Sequence, residues 1–119
     1  MKQNILIVDY DQSRAQLVSS YLQLFNCPCD LSLNHADSLT KVDRKNYNKI
    51  FISNAEASYL ALIEFLKNET TPSSHAKIYL LAHKLDSPLP EKLAQAIDYV
   101  ISNPYELDTI LETAQNESN

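Results

Sequence analysis

Lys49-Ile50-Phe51-Ile52-Ser53-Asn54 is a polar lead-in, three consecutive apolar residues and a stop on two small polar ones. A β-strand buried on both faces of a parallel sheet reads this way. In an open parallel α/β sheet, ligands and chemistry gather just beyond the carboxyl ends of the strands. The residue that closes this strand therefore carries unusual weight, and it is Asn54, a neutral amide.

Similar runs recur on either side. Ile5-Leu6-Ile7-Val8 predicts a first strand and Ala76–Ala82 a fourth, both continuously apolar at their centres. Asp98-Tyr99-Val100-Ile101-Ser102 predicts a fifth, and the weaker alternation Asp30-Leu31-Ser32-Leu33 a second. Between them the period changes to that of a helix. Asp11 is a natural N-cap for a helix over 12–25, with Ala15, Leu17, Val18, Tyr21, Leu22 and Phe25 inward and Asn26 and Pro28 ending it. Asp37 or Ser38 caps a poorly amphipathic helix to Arg44, with Leu39 and Val42 inward. A third helix covers 57–67, with Leu60, Leu62, Ile63, Phe65 and Leu66 on its apolar face. Thr70 to Ser74 is a loop by composition. The prolines of 84–90 leave only Glu91 to Ala96 for a fourth helix, and Asn103-Pro104 precedes a last one over 106–115 carrying Leu107, Ile110, Leu111 and Ala114 inward. Five alternations with short connections specify a flavodoxin-like (βα)5 fold. This is a doubly wound, five-stranded parallel sheet in the order 2-1-3-4-5.

At 119 residues the chain is expected to form one domain over 1–119, with 116–119 a frayed polar tail. There is no glycine, which removes every glycine-rich phosphate cradle. The net charge of −5 and the lack of a basic run argue against direct nucleic-acid binding. No apolar stretch is long enough to span a membrane, and the N-terminus lacks the apolar core of a signal peptide, so a cytoplasmic protein is expected. Cys27 and Cys29 flank Pro28; a bridge between them would be strained, and they read as small buried side chains, with redox sensing the alternative. His35, His75 and His83 share no ligand spacing, so neither a metal nor a cofactor is expected. Tyr47, Tyr59, Tyr79 and Tyr105 read as half-buried aromatics with a wet hydroxyl.

Several of these residues together resemble the receiver domain of response regulators. They are Ile5 to Asp11, Asn54 after an apolar strand, Leu81-Ala82 closing the fourth strand, and Val100-Ile101-Ser102-Asn103-Pro104-Tyr105. The resemblance covers the whole chain. It implies an acidic pair holding Mg²⁺ after the first strand and a phosphate-accepting aspartate after the third. It also implies a hydroxyl closing the fourth strand, a lysine before the proline of the last loop, and a cis peptide at that proline. The chemistry needs those groups: an acyl phosphate requires a carboxylate nucleophile, and its oxygens require cations. Here Asp9 matches the first acid. Tyr10 stands in place of the second, Asn54 of the phosphoacceptor, Ala82 of the hydroxyl and Asn103 of the lysine. The family's aromatic position falls on Val100, with Tyr99 one step before it.

The expectation is a degenerate receiver, a pseudo-receiver: no enzyme, but a signalling module for protein–protein association or dimerisation. Tyr99, Tyr105 and Glu106 mark a candidate interaction face, since the resemblance implies one formed by the last two helices and the strand between them. The partner is another protein or a second copy, and the domain is expected to be the N-terminal part of a longer regulator. One alternative is a receiver-like domain whose degenerate pocket senses a small ligand. Another is a phosphatase resembling the haloacid dehalogenases, with Asp9 as nucleophile and Asp11 as general acid, because Ile5 to Ser13 fits that motif also.

Overall fold

The structure, a computed structural model, describes residues 4–55, 57–68, 71–82, 89–102 (backbone only at Ser102) and 107–116. Strand β1 is Ile5–Val8, buried throughout. Helix α1 is Gln12–Leu24, capped by the Asp11 carboxylate accepting from the Arg14 amide. It stops where Asn26 takes a left-handed conformation (φ 58°), which asparagine tolerates better than most residues. Then come β2 (Asp30–Ser32) and α2 (His35–Arg44), followed by β3 (Lys49–Ser53) and α3 (Tyr59–Asn68). The chain continues through β4 (Lys77–Ala82), α4 (Glu91–Ala96), β5 (Tyr99–Ser102) and α5 (Leu107–Gln115).

All strand pairs are parallel and the order is β2-β1-β3-β4-β5, the doubly wound flavodoxin-like sheet expected from the alternation. The register aligns Ile7, Phe51, Tyr79 and Tyr99 across one row and Val8, Ile52, Leu80 and Val100 across the next. Successive side chains point to opposite faces, so the rows feed two cores. One face packs Leu6, Ile50, Ile52 and Leu80 against Val42, Leu62, Ile63 and Leu66 of α2 and α3. The other packs Ile7, Phe51 and Leu81 against Val18 and Leu22 of α1 and Ile110 and Ala114 of α5.

Three local expectations are corrected. On α1 the buried line is Ala15, Val18, Ser19 and Leu22, whereas Leu17 and Phe25 are 58% and 48% exposed. Val18 and Leu22 of that line join the core on the α1–α5 side of the sheet, and Leu17 lies off it. On α2 the cap is Asn34, whose side chain accepts from the Asp37 amide at 2.8 Å, so the helix begins at His35. Ser38 instead goes inward and shares a 2.7 Å hydrogen bond with buried Ser32. Of the polar tail, Asn116 donates its amide to the Glu112 carbonyl and accepts at its own carbonyl from Lys49, while 117–119 lie outside the described residues. Finally, Tyr47, Tyr59 and Tyr79 are buried rather than half-buried. The Tyr47 hydroxyl is accommodated by donating to Asp30 at 2.6 Å.

Lys49 is the least expected member of the core. Its place in sequence reads as a polar lead-in to β3, yet it is 2% exposed. Sharing the strand face of Phe51, its side chain runs beneath α5 and its Nζ donates to the carbonyls of Thr113 (2.7 Å), Ala114 (3.0 Å) and Asn116. A helix leaves its last carbonyls without intrahelical partners and its C-terminus partly negative. The last turn of α5 has no basic residue of its own, and a cation from β3 does this work.

Candidate functional site at the carboxyl ends of the strands

Asp9, Tyr10, Asn54 and Ala82 come together where β1, β3 and β4 end. Asn103, Tyr105, Glu106, His83 and the peptide before Pro104 lie outside the described residues. Asp9 leaves β1 with its amide donating to the Ser32 carbonyl at 3.2 Å, and its side chain turns inward to 1% exposure. Oδ1 accepts from the Asp11 amide at 3.0 Å and from Arg14 Nη2 at 2.8 Å, while Oδ2 accepts from Arg14 Nε at 2.5 Å. The carboxylate is thus forked by a guanidinium, the strongest common geometry for such a pair. Asp11, in turn, accepts from the Arg14 amide at 3.0 Å and lies 3.7 Å from Nη1.

Arg14 is the site residue that reading the sequence missed. A signal was present. A cation in the first turn of a helix opposes the helix dipole, so an arginine there, five residues after an acid closing a strand, calls for a partner.

Tyr10 is half-buried and packs against the apolar cluster of the α2 and α3 side. Its hydroxyl is buried without a hydrogen-bond partner among the described residues. Asn54 is half-buried, its amide donating to the Leu81 carbonyl at 3.3 Å, and the neighbouring Ser53 hydroxyl accepts from the Ala55 amide at 3.2 Å. Ala82 is buried and belongs to that same apolar cluster. Val8, Tyr10, Ser53, Ala55 and Tyr59 enclose only about 10 Å³ of free space. This is room for one water at most.

A larger cavity, about 520 Å³, lies at the opposite end of the sheet, between β5 and α5, lined among others by Lys77, Tyr79, Asp98, Tyr99, Thr109 and Glu112. Asp98 accepts from the Ile78 amide at 2.8 Å and sits 3.8 Å from Lys77 Nζ. Tyr99 is 58% exposed, and its ring lies 6.4 Å from that of Tyr79 on the α5 side. Val100 points to the other face and is 46% exposed. Neither residue is clamped by the core.

Cys27 is buried, Cys29 half-buried, and both are free. Burial pushes both thiols up, and the Ser19 hydroxyl near Cys29 offsets this only in part. Thiols so raised are poor nucleophiles at neutral pH. Among the described residues no three metal-ligating side chains gather, and no helix is long and apolar enough to cross a membrane.

No protein-family model matches the chain, and no curated protein matches it. Solved structures do. A response-regulator receiver domain (CheY-like) from Methylobacillus flagellatus aligns with a TM-score of 0.78 at 21% identity, over 97% of this chain and 100% of that one. The signal receiver domain of a response regulator from Bermanella marisrubri aligns at 0.77 and 19% identity, over the whole of both chains. The receiver domain of the Francisella response regulator 1452 aligns at 0.78 and 16% identity, over 94% of this chain and 93% of that one. These likenesses establish the receiver fold.

Proposed function

We propose that this domain is a pseudo-receiver: a signalling module that carries the receiver fold, takes no phosphate, and acts by association with a protein partner. The observation that carries the reading is the Asp9–Arg14 pair. Both oxygens of Asp9, the acid that closes β1, are held by a guanidinium of the same chain. Mg²⁺ demands near-octahedral coordination by oxygen ligands. Asp9 is occupied, Tyr10 offers a phenol that packs in the core, and Asn54 offers an amide, so these residues do not suit the ion. Nor can the Asn54 amide form an acyl phosphate. Arg14 gives Asp9 a counter-charge from within the chain.

No residue is assigned a catalytic role. The phosphatase alternative needs Asp9 free to attack and Asp11 free to donate a proton, whereas Asp9 is forked by Arg14 and Asp11 caps α1. Two-dimensional NMR with Mg²⁺ and beryllofluoride, a phosphoryl mimic, tests the proposal. Unchanged amide resonances around Asp9 and Asn54 are expected; shifts centred on Asp9 would sink it.

A second reading, small-ligand sensing, is favoured by one feature, the cavity of about 520 Å³ beside Tyr99. That volume is in the range of small-molecule sites, whereas the cleft lined by Val8, Tyr10, Ser53, Ala55 and Tyr59 offers about 10 Å³. Screening small organic ions with the amides of Tyr99 and Thr109 as reporters decides it, since uniform silence removes the reading.

A further inference from the structure

Helix α1 has a second apolar line that the fold leaves uncovered. Leu17, Tyr21 and Leu24 recur at i, i+4 and i+7, with Phe25 beside them. Residues so spaced share one face of a helix. Leu17, Leu24 and Phe25 are 58%, 78% and 48% exposed, while the inward line of Ala15, Val18 and Leu22 is separate and already packed. Apolar side chains contiguous on a surface mark interaction sites; scattered ones do not.

The stripe is also held in place. The Tyr21 ring packs on Phe25 at 5.2 Å between centroids, and its hydroxyl donates to the Asp108 carboxylate of α5. A surface ordered before it binds loses less entropy on binding.

Charge selects the occupant. From Ala15 to Cys29, fifteen consecutive residues carry no charged side chain, where the 21% charged content of the chain would place about three. The chain as a whole bears a net charge of −5, so two copies repel over most orientations. The α1 side of this face adds no like charge to the contact, and the carboxylate that borders it, Asp108, is engaged by the Tyr21 hydroxyl of its own copy.

We infer that the uncharged outer face of α1 pairs with the same face of a second copy of this chain, helices antiparallel about a two-fold axis near Tyr21. Such an interface is isologous: Leu17 of one copy meets Leu24 of the other, and the reverse. A helix of thirteen residues is about 20 Å long. One helix pair therefore buries less than the roughly 1,600 Å² of a standard interface, and the dimer is weak and concentration-dependent.

This deepens the association reading above by naming the partner. The test is sedimentation velocity of the chain at rising concentration, alone and with two variants at these well-exposed positions. Wild type should shift from monomer to dimer. Leu24→Lys should weaken the dimer about tenfold or more. The double variant Leu17→Glu/Leu24→Lys should restore it in a salt-sensitive form, because antiparallel pairing sets each new glutamate against the other copy's new lysine. A wild type that stays monomeric overturns the inference, as does a dimer that survives Leu24→Lys or a double variant no better than the single. A monomer that is still silent to beryllofluoride removes the self-partner and leaves the pseudo-receiver reading standing.

Discussion

Arg14 Nε lies 2.5 Å from Asp9 Oδ2 and Arg14 Nη2 lies 2.8 Å from Asp9 Oδ1, so one guanidinium occupies both oxygens of a carboxylate that is 1% exposed. The geometry gives Asp9 a counter-ion that no solvent cation needs to supply. Removing only the cation leaves a buried, unpaired charge, which is far worse than removing both partners.

Arg14→Met should therefore destabilise the fold by about 2–4 kcal/mol in urea unfolding. Asp9→Asn combined with Arg14→Met should recover a substantial part of that loss. A double variant as unstable as the single one would mean that Arg14 acts by packing alone.

Restoring the carboxylate at β3 should not restore chemistry. With Arg14, Tyr10 and Ala82 unchanged, Asn54→Asp incubated with Mg²⁺ and a small phosphoryl donor should show no phosphoryl adduct by intact-mass measurement. An adduct would show the pocket to be one substitution from function, contrary to the proposal.

Lys49 gives a prediction about α5. Lys49→Met removes a donor to the carbonyls of Thr113, Ala114 and Asn116 and should lower stability by about 2 kcal/mol. Amide hydrogen exchange should accelerate in 110–115 more than in β1. Equal acceleration in both would deny Lys49 a local role at the helix end.

The Tyr47–Asp30 contact sets a pH dependence. Burial alone would raise the Asp30 carboxyl, but hydrogen bonds from Tyr47 (2.6 Å) and Lys45 (2.9 Å) outweigh it and hold the group below its ordinary 3.8. A depressed folded pKa stabilises fully above the unfolded value, and the contribution disappears as pH falls through the folded one. Tyr47→Phe should then be less stable than wild type by about 1 kcal/mol at neutral pH, a figure kept small by Asp30's partial exposure. The gap should narrow below about pH 4. A gap independent of pH would exclude the carboxylate as its source.

At the alkaline end the sign reverses. Burial first, then the Asp30 carboxylate, raises the Tyr47 phenol above its ordinary 10.0. That contribution is complete below pH 10 and is lost as pH rises, so Tyr47 should ionise after the exposed tyrosines in an absorbance titration.

The strands were the most legible part of the chain. Ile5–Val8 and Lys49–Ser53 appear as read, because a run of branched and aromatic residues buried on both faces needs no knowledge of its neighbours. The short α4 was equally plain, since the prolines before it leave no other room. The α2 boundary was less so: Asn34, Asp37 and Ser38 can all cap, and only the buried bond between Ser38 and Ser32 decides which does.

The sequence by itself determined the order of elements, the parallel sheet and the neutral amide, Asn54, that follows β3. Those follow from periodicity and residue chemistry, which are local. Tertiary structure alone decided that Lys49 is buried beneath a helix end more than sixty residues away, that Leu17 faces outward, and that Arg14 closes on Asp9. A charged side chain is solvated unless the fold brings a partner within bonding distance, and that distance depends on the crossovers between elements, which periodicity does not encode.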